Sequence, residues 1–420
     1  MNQLLIQKLS AIALLSVLAV VGTSCKGYTS RQITNPADAV ARLRAGGELK
    51  DEVDRLAEPL IASHEIHDLA VGVLTPDGAV HYYGYGGTPP PGADTIFEIG
   101  SVTKAFVASV LAILVEEGAL HYEDTVRDIL PPAVKVNDLV GQLTLYELAT
   151  HTAGIPRQPN SLTQMRYFMD FEFAGKNPYA FITKPYLYSF LHICRVEAKA
   201  DRSYDYSNLG YGVLAHLMEL KTGRSLPELV EEKICGPLNM HDTGFTLNDE
   251  QRQRKTPGHV GDAPKFLRRN HLIRDWDMGE IMRASGGMHS TLHDLMIFAR
   301  SNLGMTGQPL DARLVLTQRA VIRTPEEDIS TGWMINQFPA WGTRLTFING
   351  ILSGYSAYLG MDTDKKVAVV VLITNFNWVE KVGHNLLLRV AAATRLENIT
   401  TDDRVPPVEN RRDPVVNNLR

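Results

Sequence analysis

The sequence predicts an α/β (α+β) architecture. One antiparallel sheet is built from both ends of the chain and flanked by helices, with a helical subdomain inserted between its halves. Three observations lead there. A Pro-Asp-Gly turn in "LAVGVLTPDGAVHYYGYGG", residues 69–87, joins two segments that read as strands, with alternation in "AVHYYGY". From about 125 to 320 the pattern is mostly helical with long loops. Strand-like segments then return in "TRLTFING", "YSAYLGMD" and "KVAVVVLITN".

The elements follow in order. In "MNQLLIQKLSAIALLSVLAVVGTSCKG", Lys8 precedes an apolar run over 9–21, then come Gly22, Thr23, Ser24 and Cys25. That is the layout of an export signal over residues 1–25. The run is short for a membrane span. Cys25 offers a point of lipid attachment, although Gly22 stands where such signals usually carry an aliphatic residue; lipid anchoring and simple secretion both stay open. Either way the mature chain is expected outside the cytoplasm, in the periplasm or on the outer surface. Residues 26–50 read as a linker or a loose first helix, and 51–396 as one catalytic-sized domain. From Ser101 to Leu120 the pattern is helical and apolar on nearly every face, so this helix belongs in the middle of the protein, closed by Gly118. "GYGVLAHLMELKTG" and "LHDLMIFARSNLG" are further helices, each ending at a glycine. A last helix is expected over 379–395, then a loose polar tail over 397–420 that includes an "NIT" sequon.

Composition narrows the function. With 420 residues, 44% hydrophobic, 21% charged and a net charge of −5, the chain is an ordinary globular protein whose scattered basic residues make no nucleic-acid patch. Its three cysteines are Cys25, Cys194 and Cys235. None has metal-ligand spacing; a Cys194–Cys235 bridge and two free thiols are both open. "HEIH" at 64–67 does not meet the His-Glu-x-x-His pattern, so no metal is expected. No Gly-x-Ser-x-Gly elbow surrounds Ser101.

The chemistry starts in "EIGSVTKAF". Ser101 and Lys104 stand three apart at a helix start, so they share a face. A serine hydroxyl needs a base, and a lysine amine can be one if burial lowers its pKa. The helix N-terminus favours developing negative charge. The plainer reading makes Ser101 a helix cap and lets Lys104 snorkel to solvent. In "YDYSNLGYG", Tyr206 can pass protons beside an ammonium and Asn208 can hold a carbonyl, or Asn208 simply caps the following helix. "LTFINGILSGYSAYLGMD" can present a backbone N–H to an oxyanion, or be an ordinary hairpin.

Together, and in this order, these stretches resemble the serine β-lactamase and penicillin-binding-protein superfamily, in particular its class C-like branch. "LTLYELATHTAGIP", "ICGPLNMHDTGF" and "ASGGMHSTLHDL" are similar to that branch as well, so the resemblance runs from about 69 to 374. It implies the β-lactamase/transpeptidase-like fold and no cofactor. Ser101 would be the acylated nucleophile, with Lys104 and Tyr206 sharing base and acid roles. Asn208 would orient the substrate, a small-molecule or cell-wall-derived acyl compound. Asn349, Gly350 and Ile351 would line it, with the Ser101 and Ile351 N–H groups as the oxyanion hole. The chain departs from the family at Ile348-Asn349-Gly350, where Lys-Thr-Gly or His-x-Gly is usual. Losing that cation weakens carboxylate recognition by about ten- to a hundred-fold. The expectation is therefore an exported serine hydrolase acting on an ester or amide. A class C-like β-lactamase or D-alanyl-D-alanine carboxypeptidase is the enzymatic alternative. A non-catalytic envelope binding protein is the alternative of another class.

Overall fold

The computed structural model describes residues 33–159, 166, 177–260, 271–319, 322–325, 327–352, 354–375 and 379–394. The expected signal over 1–25 with Cys25, and the tail over 397–420 with its sequon, lie outside the described residues.

Helices α1 (Ala37–Arg44) and α2 (Leu49–Ala62) lead into strands β1 (Asp68–Leu74) and β2 (Val80–Gly86). The turn between the strands is closed by Thr75 N–H to Ala79 O, with Gly78 at φ +84°, a conformation open to glycine. After the short strand β3 (Phe97–Glu98), a 3₁₀ turn over Gly100–Val102 opens α3 (Thr103–Glu116). The helical middle holds α4 (Asn208–Thr222), α5 (Gly279–Gly286) and α6 (Leu292–Asn302), with the short strand β4 (His289–Ser290) between the last two. The chain closes with β5 (Ile322–Arg323), β6 (Asp328–Ile329), β7 (Met334–Phe338), β8 (Thr343–Leu352), β9 (Tyr355–Asp362), β10 (Val367–Ile373) and α7 (Gly383–Ala393).

The main sheet has the order β2-β1-β10-β9-β8-β7-β6-β5 and is antiparallel throughout. The two ends of the chain meet at β1 and β10, as expected, with Val71 opposite Val371. Every residue of β1 and β10 is buried, because helices cover both faces. One face turns Ala70, Val370 and Leu372 toward α3 and α6. The other turns Leu69, Val71 and Val369 toward α2 and α7.

Two alternatives left open by the sequence are decided, and the sheet has more strands than expected. The 26–50 segment carries α1, tied to the last helix by Thr34 N–H to Asn385 Oδ1 (2.7 Å) and Arg44 Nη2 to Ala392 O (2.8 Å). Strands β5, β6 and β7 extend the sheet, and β3 pairs with β4 as a separate ribbon. Four of these five strands have two residues each, too short for any alternation to register. Cys194 and Cys235 are both buried and free, and burial pushes the Cys194 thiol up to about 11.

His384 on α7 is fully buried, 3.2 Å from Tyr358 Oη and edge-on to the Phe347 ring. Burial lowers its pKa to about 4. An unfolded histidine takes its proton near 6.5, so between those values the unfolded chain binds the extra proton and acid favours unfolding. Urea stability is therefore expected to fall by about 3 kcal/mol from this residue as pH drops from 6.5 toward 4. His384→Phe should flatten that part of the pH profile, read from urea midpoints at several pH values.

Candidate active site

The buried start of α3 places the first two groups. Gly100 stands at φ +49°, and a Cβ there would lie 2.7 Å from Ile351 N, so only glycine lets the turn press against β8. No side chain caps α3, which leaves the Ser101 hydroxyl for other work. Lys104 is 1% exposed. Its Nζ donates to Ser101 Oγ (2.9 Å), Asn208 Oδ1 (2.9 Å) and Ser285 O (2.6 Å). Three donors and three acceptors are what a buried ammonium requires. The snorkelling alternative is thereby excluded.

Tyr206 Oη donates to Ser101 Oγ at 2.8 Å. Its ring lies 4.8 Å from Lys104 Nζ and 4.9 Å from Arg157 Cζ. Asn208 is the first residue of α4, and the cap is its neighbour: Ser207 Oγ accepts from Gly210 N–H at 2.8 Å. Because Ser207 caps, the Asn208 amide is directed to Lys104.

The third piece is the end of β8. Pairing with β7 stops at Phe347, while pairing with β9 continues to Leu352. The stretch over 348–352 therefore offers an edge to the Ser101 turn. A Cβ on Gly350 would lie 1.9 Å from Ile99 O and 3.0 Å from Ser101 N, so the two backbones touch. Gly350 and Ile351 thus lie directly against the Ser101 turn. Asn349 lines a small cavity with Lys104, Tyr206 and Trp333. Ile348 is 4% exposed and packs in the core.

Two further groups carry the site and were not singled out from the sequence. Ser285 O belongs to the last turn of α5, where carbonyls lack partners within the helix. A backbone acceptor leaves no residue signature beyond the quoted "ASGGM". His151, in the quoted "ATHTAGIP", stands at φ +59°. Its Nδ1 accepts from Ser207 N–H (3.0 Å), and its ring packs 4.4 Å from that of Tyr206. Burial, with the charges of Lys104 and Arg157, holds its pKa well below the ordinary histidine value, so it buttresses Tyr206 as a neutral ring.

Away from this cluster, His67 of "HEIH" meets Asp68 and His259, with ligand-type atoms all within 4.8 Å of one another. The two imidazoles are stacked, centroids 3.7 Å apart at 13°, so their in-plane lone pairs run side by side instead of converging on one ion.

His151→Ala should cost about 2–3 kcal/mol, because it leaves the buried Ser207 N–H unpaired and puts alanine at positive φ. His151→Asn, which tolerates that backbone and keeps an acceptor, should cost less than half as much by urea unfolding.

The geometry can be compared with known proteins. The family model described as Beta-lactamase matches residues 53–393. The chain is 26% identical over 344 residues to the D-alanyl-D-alanine-carboxypeptidase/endopeptidase AmpH of Escherichia coli (strain K12), covering 77% of this chain and 83% of that one. It is 25% identical to a beta-lactamase of Psychrobacter immobilis, covering 62% of this chain and 59% of that one. Among solved structures, a class C beta-lactamase superposes with a TM-score of 0.70 at 18% identity, covering 83% of this chain and 97% of the other. The D-alanine carboxypeptidase AmpC from Burkholderia cenocepacia gives 0.67 at 21% identity, covering 81% and 98%. With the family model spanning nearly all of the described domain, the chain belongs to the beta-lactamase family and is a serine hydrolase.

Proposed function

We propose that this chain hydrolyses an ester or amide through an acyl-enzyme at Ser101. One observation carries the reading: Ser101 Oγ is held by Lys104 Nζ at 2.9 Å and Tyr206 Oη at 2.8 Å. With one proton removed from the Lys104–Tyr206 pair, that pair takes the Ser101 proton as Oγ attacks the substrate carbonyl. The carbonyl electron pair moves onto oxygen and is met by the Ser101 and Ile351 N–H groups. Collapse of the tetrahedral intermediate expels the leaving group, which receives the proton from Tyr206. Water then attacks the acyl-enzyme by the same steps in reverse roles. Asn208 holds Lys104 in line and is placed to meet a polar group of the substrate.

A second reading, release of terminal D-alanine, is favoured by the match to a carboxypeptidase over 83% of that relative's length. Against it stands Ile348, an aliphatic side chain where the family uses a cation to grip a carboxylate. A binding protein without turnover would have no need of all four of Ser101, Lys104, Tyr206 and Asn208 in bonding contact. Export rests on the pattern of residues 1–25, with Cys25 as the candidate anchor. Among the described residues, no helix is long and apolar enough to cross a membrane.

Steady-state hydrolysis of p-nitrophenyl acetate tests the reading. Ser101→Ala and Lys104→Ala should each lower kcat/KM by about 10³-fold or more, with the double variant little worse than either. Asn208→Ala should lose about ten- to a hundred-fold. Undiminished turnover in Ser101→Ala would overturn the proposal. D-Alanine release from a D-alanyl-D-alanine peptide at a kcat/KM above that of the ester would favour the second reading.

A further inference from the structure

A cavity of about 830 Å³ opens beside the nucleophile, within the usual size of a small-molecule site. Leu352 and Gly287 line it, and each directly follows a residue that packs on the Ser101 turn. Ile351 N lies 2.7 Å from where a Gly100 Cβ would stand, and a Cβ on Gly286 would lie 3.4 Å from Gly100 C. The cavity therefore begins next to the two backbone segments that pack on the Ser101 turn. Tyr206 and Asn208 belong to a different wall and do not line it. A leaving group must sit beside its proton donor, Tyr206. The space at Leu352 and Gly287 is then left for the acyl portion.

The charges of this cavity can be followed one by one. Lys255 is occupied by Glu98 Oε1 (2.8 Å) and Asp275 Oδ2 (2.6 Å). Asp277 Oδ1 accepts from Gly279 N–H at 2.8 Å. Arg283, half-buried on α5, gives only its Nε, to Gly279 O at 3.2 Å; among the described residues its two Nη groups have no partner. Gly287 packs directly on the start of that side chain: a Cβ at 287 would stand 3.0 Å from Arg283 Cα and Cβ. Arg252 and Arg274 also line the cavity but are exposed, where salt screens them.

We propose that this cavity holds the acyl portion of the substrate and that Arg283 selects acyl chains ending in a carboxylate. The proposal rests on the Ser101 acyl-enzyme reading. A guanidinium fork matches a carboxylate with two parallel hydrogen bonds, and a half-buried one is less screened than a surface one. Arg283 thus places an anion-selective contact on the acyl side of the scissile bond. The strand position at Ile348 has none to offer.

The test uses pairs of p-nitrophenyl esters with one leaving group: mono-esters of adipic, suberic and sebacic acid beside esters of hexanoic, octanoic and decanoic acid. In the wild type, the best dicarboxylate ester should exceed its neutral counterpart in kcat/KM by about ten-fold or more, an advantage that narrows in high salt. Arg283→Gln should abolish the advantage, mainly through KM, and Arg283→Lys should restore part of it. The salt response needs no variant, so it tests the proposal even if a substitution harms folding. No preference at any chain length, or a preference unchanged in Arg283→Gln, overturns it. Turnover that survives Ser101→Ala would instead sink the acyl-enzyme reading beneath it.

Discussion

Lys104 is almost wholly removed from water, and a buried ammonium is tolerated only when each of its protons has an acceptor. Those acceptors come from three separate elements. Ser101 Oγ stands at the entry of α3, Asn208 Oδ1 at the first residue of α4, and Ser285 O in the last turn of α5. The α5 carbonyl is available because helix ends leave carbonyls without partners, and the negative end of the helix dipole suits a cation. One buried charge therefore holds the crossing point of three helices. Removing any acceptor leaves a donor stranded at low dielectric.

The sheet contributes through contact at the backbone. Gly100 and Gly350 allow the Ser101 turn and β8 to approach closer than any side chain permits. That approach sets Gly350 and Ile351 against the Ser101 turn, on the part of β8 that β7 leaves unpaired after Phe347. Lys104, Tyr206 and Asn208 come from the helical part of the chain, and the end of β8 packs on the Ser101 turn from the sheet side. The nucleophile sits where the two halves meet. His151 adds a rigid neutral wall behind Tyr206, which fixes the phenol without placing a second cation beside Lys104.

Much of this was legible in the sequence because strong local patterns wrote it there. The wholly apolar β10 and the alternating β2 announced a sheet drawn from both termini. The Ser101–Lys104 spacing and the Tyr206–Asn208 pair gave the polar groups that the structure brings within bonding distance. What escaped was set by tertiary contact. Two-residue strands such as β5 and β6 exist only because a neighbour pairs with them. Ser285 contributes a carbonyl that any residue would carry. His151 acts through ring packing and one accepted hydrogen bond, neither of which has a spacing rule. Helix α1 is polar enough to read as a linker; its contacts with α7, hundreds of residues away, keep it in place. Asn208 had two local readings, and the adjacent Ser207 decided between them by taking the cap.

The central claim is that Lys104 is held where it can activate Ser101. Intact-mass measurement of the purified protein after brief exposure to a small fluorophosphonate tests it without assuming any natural substrate. The account predicts one adduct per chain, mapped to Ser101, absent in Ser101→Ala and formed at least about a hundred-fold more slowly in Lys104→Ala. An adduct that persists in Ser101→Ala, or labelling of Lys104→Ala as fast as the wild type, would contradict it.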